Sequence, residues 1–468
     1  MILFELNVRL HHRTLVELAD EHLARLGALG FDWIWLMGLW RIGDGARAIS
    51  RRYGDDFEGS PYAIADYEVS ADLGGESALR VFVERAHDLG IQVMADFVPN
   101  HMAVDSPLLD AHPDFAIHWN PGCRDAHSGD YFDHPRGRLA HGKDPYFAGW
   151  TDTAQLDYSH PPLRAHQIGV LRRLATLVDG VRCDMAMLVL REQVKKQWFP
   201  HIEQPAFDQY YREEFWAEAI RKVRADRPDF TFMAEVYWDK EPYLQQLGFD
   251  FTYDKKLHDL LAHGAPAREI EGFLADADAG YVRRSVHFLE NHDEERAAVR
   301  FGARQRAAAI LSFAIPGAVF VHQGEMEGRR EKIPVQRRVP LTREAPDESL
   351  ERFYAELLAC VRDPLLRDGE MELLGVEEGV ILILRRHAGR IALIGASPGH
   401  DDRGRSPALT LPAARVAAPA DKGLRWLDLL DAATIPWDLR GDRVHLAEGA
   451  IGCWSERRGF VLELTGPA

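Results

Sequence analysis

Short apolar runs alternate with longer segments in which apolar residues recur at three- and four-residue steps. The runs at residues 2–8, 31–37, 91–97, 178–184, 230–236, 249–253, 285–290 and 318–322 read as strands. Segments such as 15–29, 76–89, 162–177 and 209–224 carry the helical pattern. Eight strands of parallel type alternating with helices predict an α/β fold, a (β/α)8 TIM barrel. One connection breaks the rhythm. Residues 102–157 are rich in His, Pro, Gly, Asp and aromatics and show little periodicity. So long a connection in a compact domain is usually functional. It follows the third strand, so it is expected to overhang the face formed by the strand C-termini.

After about residue 341 the pattern changes. A helix at 348–362 precedes apolar runs at 379–384, 390–394 and 459–464, separated by Gly, Pro and Asp, which predicts a C-terminal antiparallel β domain. The expected organisation is a catalytic barrel at 1–101 and 158–345, a loop-rich inserted domain at 102–157, and a C-terminal β-sandwich domain with its leading helix at 346–468. The Pro/Ala-rich patch at 413–420 reads as a loop within that last domain.

Composition narrows the partners. Hydrophobic residues make up 46% of the 468, which argues for a globular chain. Acidic residues outnumber basic ones 73 to 56, for a formal charge of −17. That balance disfavours nucleic acid and anionic membrane surfaces and favours a neutral ligand. No apolar stretch is long enough to cross a bilayer, and Glu5 interrupts the opening run, a poor secretory signal. The cysteines at 123, 183, 360 and 453 lack metal-type spacing, so a cytoplasmic protein with reduced thiols is expected.

Four runs carry the chemistry: Asp96-Phe97-Val98-Pro99-Asn100-His101, Gly180-Val181-Arg182-Cys183-Asp184, Ala234-Glu235-Val236, and Phe288-Leu289-Glu290-Asn291-His292-Asp293. In a barrel of this kind the site lies at the strand C-termini. Asp96 ends the third strand, Asp184 the fourth and Glu235 the fifth, while Asp293 follows the seventh, so all four are expected to converge. Arg182 lies on the same side of its strand as Asp184 and would hold it ionised. His101 and His292 can donate to hydroxyls or carboxylates. One carboxyl kept ionised beside one kept protonated is what glycoside cleavage requires, with about 5–5.5 Å between them in the retaining mechanism. Asp184 is accordingly assigned as nucleophile and Glu235, with its longer reach, as acid/base. Asp293 would hold the sugar 2- and 3-hydroxyls and stabilise positive charge in the transition state.

The four runs, in this order, resemble the signature regions of the α-amylase family, glycoside hydrolase family 13. The resemblance covers essentially the whole chain, and the stretch from Ser60 to Tyr67 and Gln323-Gly324-Glu325 fit it too. It implies a hydrolase cleaving α-glucosidic bonds in neutral α-linked oligo- or polysaccharides. Tyr62 would stack on the sugar in the cleavage subsite, with Asp96, His101, Arg182 and His292 around it. No organic cofactor is implied. Calcium often accompanies the family, and Asn100 and Asp157 match two of its ligand positions. One departure bears on specificity. Met187 and Leu188 stand where many starch-degrading members carry Lys-His, so transfer of the glycosyl unit to a sugar acceptor is the alternative outcome. A non-enzymatic partner subunit is a third reading, opposed by the intact acids.

Taken singly, these residues have plainer explanations. Arg-x-Asp is more often a structural ion pair, and Asn-His-Asp could cap a helix. Their joint order reverses that weighting. His112, His118, His127, His134 and His141 lack ligand spacing and read as polar loop residues. Phe31, Trp33 and Trp35 read as core, whereas Trp40, beyond the second strand, is a candidate sugar platform.

Overall fold

The computed structural model describes residues 1–120, 128–339, 344–399, 405–416, 425–452 and 454–465. Cys123, His127, Cys453 and part of the 413–420 patch lie outside them. All eight expected barrel strands form. They are β1 Ile2–Asn7, β2 Trp33–Met37, β3 Gln92–Phe97, β4 Gly180–Cys183, β5 Thr231–Ala234, β6 Phe251–Tyr253, β7 Ser285–Phe288 and β8 Ala318–His322. They close into one barrel in sequential order. Every residue of β1 and β8 is buried, as expected of a parallel sheet covered on both faces.

Strands β4 and β5 end just before the acids assigned to chemistry, yet hydrogen bonding runs one step further. The Asp184 amide donates to the Phe97 carbonyl at 2.9 Å, and the Glu235 amide to the Cys183 carbonyl at 3.0 Å. Both acids therefore sit just past the strand ends, each held by the neighbouring strand.

The helix Leu15–Leu29 matches its expected span. Thr14 and Glu17 form a capping box at its start, and Gly30 closes it with φ 87°, a left-handed conformation that favours glycine. The expected helix at 209–224 is instead two, Gln204–Tyr210 and Phe215–Asp226. Between them Tyr211 is buried, and its hydroxyl donates to the Val189 carbonyl at 2.6 Å. A tertiary anchor here overrides the helical pattern.

The insertion leaves and returns on one antiparallel ribbon, His101–Ala103 against Thr153–Gln155. A second ribbon pairs Tyr131–His134 with Gly137–Ala140. Leu109, Ala116, Leu139 and Ala154 form a small core beneath them. The region is thus more ordered than its lack of periodicity suggested, because ribbons this short leave almost no periodic signal.

The C-terminal region forms a six-stranded antiparallel sheet, in the order Glu370–Glu377, Val380–His387, Arg390–Ala396, Gly459–Thr465, Arg425–Asp428, Thr434–Ile435. A three-stranded sheet joins Leu409–Pro412, Arg443–Leu446 and Asp438–Arg440. Val380, Leu384 and Phe460 of the first share one core with Leu411, Val444 and Leu446 of the second.

By compactness the chain divides into two units. One comprises Phe4–Tyr253 with Ile333–Thr342; the other comprises Met1–Leu3, Asp254–Lys332 and Arg343–Ala468. Among the described residues no helix is long and apolar enough to cross a membrane.

Gly180 opens β4 where a side chain has no room. A Cβ there would lie 2.8 Å from the Thr231 carbonyl oxygen and 3.1 Å from the Trp33 ring. Gly180→Val is expected to lower unfolding free energy by about 1–3 kcal/mol. Urea denaturation measures this; an unchanged midpoint would contradict so tight a strand contact.

Candidate active site

Arg182 is the centre of the first unit's site. It is fully buried on β4, in register with Asp96 on β3 and Met233 on β5. Its Nη1 lies 2.8 Å from Asp184 Oδ1 and 3.4 Å from Asp96 Oδ1, and its Nη2 donates to Glu235 Oε2 at 2.7 Å. Trp35, Tyr62 and Tyr253 surround the guanidinium, with ring centroids 5.0, 5.3 and 5.9 Å from its carbon. Burial works against the charged guanidinium, but the acids, Glu235 foremost, hold its pKa well above the usual value.

The contact with Asp184 is the expected one. The equally short contact with Glu235 was not expected, so Arg182 alone does not separate a charged acid from a protonated one.

Glu235 is held at both carboxylate oxygens. Its Oε2 also accepts from the Met185 amide at 2.8 Å, and its Oε1 from the Tyr237 hydroxyl at 2.7 Å. Met185 reaches it because the chain turns left-handed immediately after Asp184, with φ 41° at a non-glycine residue. Strain of this kind clusters at functional sites. Met187 and Leu188 are buried in the short 3-10 turn that follows.

His101, at the neck of the insertion, is buried and packs edge-on to Trp150 at 5.1 Å. Burial pushes its imidazole down to about 4, against a hydrogen bond to the Tyr62 backbone, so it is neutral at pH 7. Trp40 is not a sugar platform: it is 2% exposed, and its indole donates to the Asp96 carbonyl at 2.7 Å. Sequence reasoning missed Tyr237 and Tyr253 and read Trp35 as plain core. Tyr237 was findable as the aromatic hydroxyl two residues beyond Glu235 in the sequence.

The second unit holds the Asn-His-Asp run beyond β7. Asn291 Oδ1 accepts the amides of Asp293 and Glu294, both at 2.9 Å, and fixes the turn. His292 Nε2 lies 2.8 Å from Asp293 Oδ2, whose side chain is 47% exposed. Glu290 anchors the loop. It is fully buried, ion-paired with Arg296 at 3.0 Å, hydrogen-bonded to His322 at 2.9 Å, and accepts from the Ala297 amide. Burial raises its pKa to about 7 against the pull of Arg296. Glu325 is held well above the usual carboxylate range, by burial and then by Glu290, and accepts from the Tyr354 hydroxyl at 2.7 Å.

Both positions expected for calcium are hydrogen-bonded within the protein. Asn100 Oδ1 accepts from the Gln155 amide at 2.9 Å, and Asp157 Oδ1 from the Ser159 amide at 2.8 Å and its hydroxyl at 2.6 Å. Among the described residues, His11, Glu21 and His22 have ligand-type atoms within 4.8 Å of one another, but Arg13 binds the Glu21 carboxylate at 2.6 Å.

A closed parallel barrel with a buried acid cluster at its strand ends places the chain in the TIM-barrel fold class. The sequence matches the family described as "Alpha amylase, catalytic domain" over residues 19–368, and the chain belongs to that family. Over 354 residues it is 28% identical to the alpha-amylase MalA of Haloarcula japonica, covering 73% of this chain and 45% of that protein. It is 24% identical over 263 residues to an alpha-1,4-glucan:maltose-1-phosphate maltosyltransferase of Salinibacter ruber, covering 52% and 33%. The chain thus spans less than half the length of either relative. A maltogenic alpha-amylase, AmyB of Thermotoga neapolitana, shares the fold at TM-score 0.77 and 23% identity, covering 99% of this chain and 98% of that one.

Glu290 makes stability pH-dependent. Its folded pKa of about 7 exceeds the unfolded value of about 4.3, so its protonated form favours the fold. That contribution is complete below the unfolded value and is lost as pH rises through about 7. The melting temperature is expected to fall across this window, and to fall less in Glu290→Gln. Parallel pH–melting curves for the two proteins would refute this.

Proposed function

We propose that this chain is a retaining glycosidase acting on α-glucosidic bonds of α-glucans and maltooligosaccharides. The observation that carries the reading is the single buried guanidinium spanning Asp184 and Glu235 on adjacent strand ends. A shared guanidinium suits the about 5–5.5 Å separation of a retaining pair rather than the wider inverting one.

Asp184 attacks the anomeric carbon and forms a glycosyl ester, while Glu235 gives its proton to the departing glycosidic oxygen. Glu235 then takes a proton from water, which opens the ester and frees Asp184. The Met185 amide and the Tyr237 hydroxyl orient Glu235 for both steps. Asp293, backed by His292, holds the sugar hydroxyls and offsets the developing positive charge. Tyr62 supplies a stacking face, and neutral His101 and the Asp96 carboxylate contact the same sugar. The match of most of the chain to the family supports the assignment.

One observation favours transfer as a second outcome. Tyr146 and Phe147, 69% and 70% exposed, are turned outward by Asp144, which accepts both their amides. Tyr146 stands edge-on to Trp238, three residues beyond Glu235, with ring centroids 5.2 Å apart. An aromatic face there could hold an acceptor sugar against competing water. On maltooligosaccharides with excess acceptor, Tyr146→Ala is expected to lower the ratio of transfer to hydrolysis products. Hydrolysis products alone from the wild type would count against transfer.

Asp184→Asn and Glu235→Gln should each reduce kcat on maltooligosaccharides by about 10²–10⁴-fold or more. With an α-glucosyl fluoride, whose leaving group needs no proton, intact mass spectrometry should find a covalent adduct on Glu235→Gln and none on Asp184→Asn. Wild-type turnover by either variant would sink the assignment.

A further inference from the structure

The neck of the insertion contains an oxygen cage filled by an amide. Gln155 ends the returning ribbon strand opposite His101 and is 2% exposed. Its Nε2 lies 2.9 Å from Asn100 Oδ1, 3.0 Å from the Asn100 carbonyl oxygen and 3.2 Å from the Leu156 carbonyl oxygen. Three oxygens converging on one point from two chain segments is how a protein presents itself to a hard cation. Here the point is taken by a neutral donor. The amide's orientation follows from chemistry: reversed, it would set an oxygen against three oxygens with no donor among them.

Charge argues the same way. The three oxygens are a side-chain amide and two carbonyls, and contribute no negative charge. Asp157, two residues on, turns its Oδ1 to the amide and hydroxyl of Ser159. A calcium ion wants six to eight oxygens with carboxylates among them, whereas the amide offers its two N–H groups to these acceptors at no cost in charge, its own Oε1 being buried without a hydrogen-bond partner. The contacts also sit where they matter mechanically. Asn100 follows β3, its carbonyl also accepts the Leu156 amide at 3.0 Å, and the Gln155 carbonyl accepts the Ile117 amide at 2.9 Å. Gln155 thus joins the outgoing and returning strands through its side chain and the body of the insertion through its backbone carbonyl.

We infer that the Gln155 amide stands in for a metal ion, closing the neck of the insertion without calcium. The isosteric change Gln155→Glu tests it by placing a carboxylate against the three oxygens. In chelator this variant should melt roughly 3 °C or more below the wild type, and millimolar calcium should restore it, whereas the wild-type midpoint should be the same with calcium as with chelator. A calcium-raised wild-type midpoint, a variant as stable as wild type in chelator, or a variant that calcium does not restore would each overturn the inference. Should the variant fail to fold, native mass spectrometry of the wild type with added calcium decides: a retained ion overturns the inference and its absence supports it. Every readout is stability or mass, so the result stands whatever reaction the chain catalyses.

Discussion

Arg182 is the constraint around which the first unit is arranged. A guanidinium taken wholly out of water is tolerable only where acids meet it on the side it presents. Asp96, Asp184 and Glu235 do so from three adjacent strands, and three aromatic rings close the remaining directions. The dependence is mutual. Removing the cation would leave several buried carboxyls facing one another, at a cost of about 3–5 kcal/mol for a broken buried pair. The register of β3, β4 and β5 is thereby tied to the chemistry, since a slip of one residue would send Arg182 to the other face of the sheet.

Much of this was legible in the sequence. Buried parallel strands are short, apolar and separated by helices, so all eight could be found from the pattern of apolar residues. Chemistry-bearing residues at strand ends come in fixed order, so Asp184, Arg182 and Glu235 stood out as a set. What was hidden depends on contacts between distant segments. Trp40 looks like a sugar platform until its indole is seen to donate to the Asp96 backbone. Tyr253 is one aromatic residue among thirteen tyrosines until β6 brings it onto the guanidinium. Gln155 carries no motif at all, and only the antiparallel pairing of residues 101–103 with 153–155 turns its amide toward Asn100.

The loop beyond β7 applies the same physics with the opposite sign. Where Arg182 gathers acids to keep a cation charged, Glu290 and Glu325 are two acids buried together with Arg296 nearby, and a proton relieves them. Such a pair is rigid but costly, because every polar atom must find a partner. Arg296, His322, Tyr354 and the Ala297 amide supply those partners from four chain positions. The turn bearing Asp293 is held by that scaffold, while the Asp293 side chain remains half open to solvent.

The antiparallel neck at residues 101–103 and 153–155 has a consequence for variation over time. Both ends of the insertion are pinned within one short ribbon, and closing a loop between fixed ends costs only logarithmically more as the loop grows. Residues between those ends can be lengthened, shortened or exchanged while the strand ends below stay in register. The insertion can therefore change between its fixed ends, while the buried ion cluster at the strand ends tolerates little change.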